Sequence, residues 1–265
     1  MYKSQYDDSI LLWSPEGRIH QVEYAMETVN MGTANVGLKT ASYAVLCSLQ
    51  RATSVLASHQ KKIFEIDSRC GVAISGLTTD ARIIIKWMRN EMLNHRYIYE
   101  APLPTQALVT KLLNKSQINT QRYGRRPYGV GLLIASYDKT GTHIYETCPS
   151  GAMYDWRAQS IGARCQSART YLENNIDSIE SSSRDELILH ALRALRDTLN
   201  FNQTSESQKN NEPTELNVKN CVIGIVGVDE KFHLLDEQEL GSFLVQLEAR
   251  GNNSDRTTRM EMTDI

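Results

Sequence analysis

The chain has 265 residues, of which 41% are hydrophobic and 23% charged, an ordinary globular composition that argues against fibrous or low-complexity architecture. Its formal charge of -2 creates no field that would gather nucleic acid or anionic lipid over the whole surface, leaving only a local patch open to such partners. Five cysteines (Cys47, Cys70, Cys148, Cys165 and Cys221), odd in number and without Cys-x-x-Cys spacing, speak against a disulfide framework or a zinc site and suit a reducing compartment.

The N-terminus lacks an apolar run of signal length, and no stretch reaches the ~18 apolar residues of a membrane span. The expected location is cytoplasm and nucleus, with no membrane partner. The Asn-x-Ser/Thr triplets at Asn114, Asn202 and Asn252 are then chance matches.

After the Ser14-Pro15-Glu16-Gly17 turn, Ile19, Val22, Met26 and Val29 recur at helical spacing, and Gly32 stops the helix. Ala34, Val36 and Leu38 then alternate with polar neighbours as a half-buried strand, and Ala44 to Cys47 supplies its apolar partner. Lys62 to Ile66 and Gly71 to Ser75 follow as strands. Thr78 and Asp80 are candidate caps of a helix carrying Ile84, Ile85, Met88 and Met92, and Pro104 opens a second with Leu108, Val109 and Leu112.

Strands return at Tyr128 to Ala135, His143 to Thr147 and Ala152 to Gly162, separated by turns at Asp138 to Gly141 and Pro149 to Gly151. Helices are expected from Cys165 to Asn174 and from Arg184 to Leu199, and a polar surface loop from Asn200 to Asn217. Val222 to Val228 and Phe232 to Leu235 form a last strand pair, before a helix with Leu240, Leu244 and Leu247.

Hairpins alternating with helix pairs disfavour a doubly wound parallel sheet. The expected fold class is α+β, with two antiparallel sheets stacked face to face and helices outside. Residues 19–248 read as one domain, preceded by a segment at 1–18 and followed by a polar tail at 249–265. That tail, with Gly251-Asn252-Asn253-Ser254, lacks apolar periodicity and is expected to be disordered.

Tyr6-Asp7, Ser14-Pro15-Glu16-Gly17-Arg18 and Gln21-Val22-Glu23-Tyr24-Ala25, leading into Gly32-Thr33, resemble the N-terminal signature of the alpha-type subunits of the proteasome core particle. The resemblance continues through Gln60-Lys61-Lys62-Ile63, Ser75 to Arg82, Arg126 to Leu133 and Ser160 to Arg164, and covers roughly residues 5 to 248. Two further stretches, Gln121 to Tyr128 and Ala168 to Glu173, point to one sub-type within that family. The resemblance implies the four-layer alpha-beta-beta-alpha sandwich of the N-terminal-nucleophile hydrolases, and a non-catalytic part in a gated, seven-membered ring.

Active beta subunits of the same fold cut peptides with a threonine freed by self-cleavage after a glycine, its own amine serving as base. Gly32-Thr33 looks like that cleavage site, and Lys62 falls where the basic lysine stands. The alpha signature, however, leaves Thr33's amine in an amide. Leu49 occupies the place of the orienting carboxylate, counted back from Arg51-Ala52-Thr53, and Cys165 that of a serine. Losing one member of such a set costs orders of magnitude. No catalytic residue and no cofactor are therefore expected, with an autocatalytic threonine peptidase as the alternative. The six histidines show no metal-ligand spacing, and Gly129-Val130-Gly131 lacks the third glycine of a dinucleotide loop.

The resemblance further assigns Tyr6, Asp7, Pro15 and Tyr24 to the gate segment. Lys62 and Gly32 match a pocket between neighbouring subunits that receives a regulatory particle's C-terminal carboxylate, Gly32 leaving room for that tail. Arg122, Tyr123, Arg125, Arg126 and Tyr128 match a ring-interface loop. On residue type alone these five could bind RNA by charge and stacking, the third and least favoured reading. Implied partners are other alpha subunits, beta-ring subunits, regulatory particles and polypeptide substrates in transit, and no nucleic acid.

Overall fold

Why each segment adopts its element is visible in how its faces are covered. The computed structural model describes residues 6–52, 56–199 and 215–261, with side chains to residue 249. In chain order the elements are α1 (His20–Asn30), β1 (Asn35–Lys39), β2 (Tyr43–Leu49), β3 (Ile63–Asp67), β4 (Cys70–Gly76), α2 (Thr78–Tyr99), α3 (Thr105–Gln121), β5 (Val130–Asp138) and β6 (Gly141–Thr147). They continue with β7 (Met153–Trp156), β8 (Ala158–Ile161), α4 (Cys165–Asn174), α5 (Ile176–Glu180), α6 (Arg184–Arg196), β9 (Cys221–Gly227), β10 (His233–Leu234) and α7 (Glu237–Glu261).

Among the described residues these strands form two five-stranded sheets, ordered β10-β9-β2-β1-β8 and β3-β4-β5-β6-β7, and every pairing between neighbours is antiparallel. Apolar clusters glue four layers. Val36, Leu38 and Val45 pack with Leu187, Ile188 and Leu192 of α6. Val72, Ile74, Leu132 and Ile134 pack with Ile84, Met88, Leu108 and Leu112 of α2 and α3. Ala44, Leu46, Ala73, Leu133 and Ile144 fill the space between the sheets. The expected sandwich of two antiparallel sheets flanked by helices is the architecture found.

Four local expectations are corrected. β1 is not half-buried: residues 35–38 are covered on both faces, because Val36 and Leu38 face the helices while a side chain at Gly37 would meet Ile144 and Leu133 of the other sheet. Thr78 and Asp80 do not cap α2, whose N-cap is Leu77 without a side-chain bond, because Asp80 is engaged elsewhere. The stretch from Ala152 to Gly162 is two strands in different sheets. β7 pairs with β6 and β8 with β1, and the chain crosses over at Arg157, whose carbonyl accepts the Lys39 N–H at 3.0 Å.

Lastly, α7 carries its backbone to Glu261, past the boundary drawn at 249 for a disordered tail. Buried Leu240, Leu244 and Leu247 anchor its first part, and extending an existing helix costs far less than starting one. Most of the loop expected at 200–217 lies outside the described residues. α6 forms where apolar spacing placed a helix; Ser183 and Glu186 form a capping box at its start, and Arg193 and Arg196 lie in its last turn, toward the C-terminal dipole.

Candidate functional site

α1 lies across β4 and β5, and its docking fixes the Gly32-Thr33 junction that follows it. Ala25 and Val29 are its buried residues, with Ile19 and Val22 half-buried. Met26, placed on the buried face by spacing, is instead exposed, because the inward stripe runs 22-25-29. The close approach depends on a bare backbone beneath: a Cβ on Gly131 would come within 2.7 Å of the Val29 side chain.

Gly32 is locked from both sides. Its N–H donates to the Val29 carbonyl at 3.1 Å, and its own carbonyl accepts the Ala163 N–H at 2.7 Å. A Cβ there would lie 2.3 Å from Ser75 Oγ and 2.5 Å from the Gly76 nitrogen, while Ser75 Oγ donates to the Val29 carbonyl at 2.8 Å. The absence of a side chain thus makes room for the end of β4, a use the sequence did not suggest.

Thr33, Leu49, Lys62 and Cys165 are the positions that the sequence set against an N-terminal nucleophile site. The Thr33 nitrogen is part of continuous backbone between α1 and β1, and its Oγ1 is buried without a hydrogen-bond partner. Leu49, on β2, is buried and apolar. Lys62 is only 4% exposed. Burial, and secondarily the charge of Arg51, pushes its amine down to about 8. No hydrogen bond or ion pair joins Lys62 to a carboxylate among the described residues. Cys165 opens α4, its N–H donating to the Gly162 carbonyl at 3.3 Å.

The segment before α1 is held by polar contacts. Ser14 N–H donates to the Arg18 carbonyl at 2.9 Å, Arg18 N–H returns to Ser14 Oγ at 3.1 Å, and Gly17 supplies the left-handed φ of 77°. Pro15, exposed, sits inside that turn. Farther up, Tyr24 Oη donates to Asp7 Oδ2 at 3.3 Å, and the Gln21 side-chain amide reaches the Asp7 carbonyl. Desolvation, followed by the Asp7 charge, raises the Tyr24 hydroxyl above its ordinary pKa. Asp7 and Tyr24 are therefore brought together, Pro15 shapes the turn, and Tyr6 is part-exposed at 39%. Exposed Leu11, Leu12 and Trp13 accompany them, a run that spacing did not single out.

The basic loop splits into two kinds of residue. Arg126 grips Asp80 with both terminal nitrogens, at 2.6 and 2.8 Å, and Asp80 also accepts the Gly129 N–H at 3.1 Å. The Arg126 fork is the largest cause holding the Asp80 carboxyl below its usual range. Arg122, Tyr123 and Arg125 remain exposed, Tyr123 at 88%, and Tyr128 is half-buried. Asp80 was missed as a site residue because its partner lies 46 residues away, beyond any local pattern. No group of three metal-ligating side chains occurs among the described residues.

Residues 29–211 match the family described as "Proteasome subunit", and residues 6–27 match the N-terminal signature of the A-type proteasome subunits. The chain is 52% identical over 248 residues to proteasome subunit alpha type-1 of Dictyostelium discoideum, a match that spans 94% of this chain and 96% of that one. It is 46% identical over 259 residues to a probable proteasome subunit alpha type-6 of Schizosaccharomyces pombe, 98% of this chain and 91% of the relative. Against proteasome subunit alpha type-1 of Caenorhabditis elegans the identity is 47% over 247 residues, 93% and 91% of the two chains. The sub-type to which residues 121–128 and 168–173 point, called alpha-six or alpha type one, is the one these relatives carry in their names.

Proposed function

Because the chain belongs to the proteasome subunit family and carries its alpha-type signature, we propose that it is a non-catalytic member of a seven-membered alpha ring. It narrows the substrate entrance of the core particle, rests on the beta ring, and offers docking surface to regulatory particles in the cytoplasm and nucleus. One observation carries the reading: Thr33 keeps its nitrogen in an amide behind a docked helix, while Leu49 stands where a carboxylate would orient Lys62. A hydroxyl with neither a free amine nor an oriented lysine has no base at neutral pH.

The test is N-terminal sequencing of the mature chain taken from native particles. Retention of residues before Gly32, in a complex with six other chains of similar mass, is the expected result. A terminus at Thr33 that reacts with an epoxyketone overturns it in favour of a threonine peptidase.

Tyr6, Asp7, Pro15 and Tyr24 form the gate segment in this reading, the Asp7–Tyr24 bond and the Pro15 turn setting how the chain leaves α1. Asp8 follows Tyr6-Asp7 where many alpha subunits carry arginine, so this tail makes its own contacts in a closed gate. Lys62 is the charge that a regulator's carboxylate would satisfy, a bond worth about 1.5–3 kcal/mol. Lys62→Ala is expected to weaken regulator binding by about tenfold or more with ring assembly intact. Unchanged affinity would remove Lys62 from the pocket. Arg122, Tyr123, Arg125 and Tyr128 face a ring neighbour in this proposal. The pairing of Arg126 with Asp80 removes one cation from any RNA surface, and salt-sensitive retention of homopolymeric RNA would be needed to revive that reading.

A further inference from the structure

Three connections meet at the end of the sandwich far from Gly32. The β3–β4 turn, the α2–α3 loop and the β5–β6 turn enclose a cavity of about 930 Å³, lined by residues 67–70, 101–105 and 137–140 and by three residues of α2. Cys70 lines it, whereas Gly76, at the other end of β4, packs against Gly32, so the length of that strand, about 20 Å, separates the two places. The volume lies within the roughly 300–1,000 Å³ of sites that hold small organic molecules.

Contacts between the connections fix its walls. The Tyr137 N–H donates to the Arg69 carbonyl at 3.1 Å, Arg96 reaches both oxygens of Asp67, and His95 Nδ1 donates to the Ala101 carbonyl at 3.0 Å. Buried Cys70, Met92 and Leu103 supply an apolar lining, and the rings of His95, Pro102, Pro104 and Tyr137 offer faces that suit a flat guest better than a flexible chain. The charges are unequal. Asp67 is taken by Arg96, and Asp138 accepts the Thr140 N–H at 2.8 Å together with the Thr140 hydroxyl. The Arg69 guanidinium lies over the Tyr137 ring, 5.3 Å from its centre, and neither it nor the Lys139 ammonium forms an ion pair among the described residues. Both are exposed, and they give the cavity a positive edge beside a stacking surface.

We propose that this cavity binds a small aromatic anion, its ring against Met92, Leu103 and Tyr137 and its carboxylate or phosphate between Arg69 and Lys139. The apolar lining takes the body of such a molecule out of water, and the two cations select its charge. The site lies within one chain and does not rest on the proposed role in a ring.

Ligand-observed NMR titrations of the full chain test it with four probes: 2-naphthoate, 2-naphthyl phosphate, the neutral 2-naphthalenemethanol and the aliphatic anion octanoate. At least one naphthyl anion should bind about tenfold or more tighter than the alcohol and than octanoate, and the tighter of the two identifies the headgroup. Combining Arg69→Gln with Lys139→Gln should weaken the naphthyl anions about tenfold or more and leave the alcohol unchanged. Combining Arg122→Gln with Arg125→Gln, which removes the same charge at the other end of α3, should change neither. Equal binding of anions and alcohol, octanoate as tight as the naphthyl anions, the same loss in the Arg122 and Arg125 pair, or no binding of any probe at millimolar concentration would each overturn the proposal.

Discussion

Lys62 holds an ammonium that the fold does not welcome. Its native pKa of about 8 lies below the ordinary 10.5. Between those values the unfolded chain binds a proton that the native chain has released, so stability climbs as pH rises through that window, and the full penalty is present below it. Lys62→Met should therefore stabilise the protein at neutral pH by up to about 3 kcal/mol and remove the climb. Urea unfolding of both proteins on either side of the window checks this, and equal midpoints at neutral pH would show that the ammonium is compensated. Asp80 has the opposite sign: its native pKa is lowered, so the stability it contributes is present above the ordinary 3.8 and disappears as pH falls through the native value. Arg126→Ala should cost about 1–2 kcal/mol at neutral pH, the low end for a charged bond because Arg126 is largely exposed. Arg126→Lys should recover little, since the two-pronged grip needs a guanidinium.

Among the elements, α1 depends most on a single missing side chain. Gly131→Val would push against Val29 and is expected to cost about 1–3 kcal/mol, read in thermal unfolding and in faster tryptic cleavage at Arg18. Unchanged cleavage would mean that α1 does not rest on β5. Helices α4, α5 and α6 meet at His190, whose Nδ1 faces Tyr171 Oη at 2.9 Å and whose Nε2 faces Ser178 Oγ at 3.4 Å. Burial, then the charge of Arg193, lowers its pKa from 6.5 against an opposing pull from Glu186. The unfolded histidine then takes up its proton first, so stability falls as pH drops below about 6.5. His190→Gln should flatten that slope in melting curves recorded between about pH 7 and about pH 5. Periodicity could find α6 because Ile188, Leu192 and Leu195 recur on one face over its 13 residues. It could not find α5, a single turn with one buried residue, Ile179. Nor could it separate β7 from β8, since alternation says which way a side chain points but not which sheet its strand has joined.

For the molecule as a whole, pattern and resemblance reached the layers, whereas the pairings that close them lie far apart in sequence. Asp80 with Arg126, Ser75 with Val29 and Gly32 with Ala163 are non-local contacts, and no window along the chain contains both partners of any of them. The sheet β10-β9-β2-β1-β8 joins strands from the start of the chain, β8 from its middle and β9 and β10 from near its end, while the other sheet is one unbroken run from β3 to β7. During synthesis, the second sheet can therefore fold around α2 and α3 while Tyr43–Leu49 still waits for Cys221–Gly227. Until the last strand leaves the ribosome, the nascent protein carries an open, apolar border of the kind that other chains readily extend. A version stopped before Cys221 should accumulate as aggregate or bound to chaperones, and only the finished polypeptide should be free to enter an assembly.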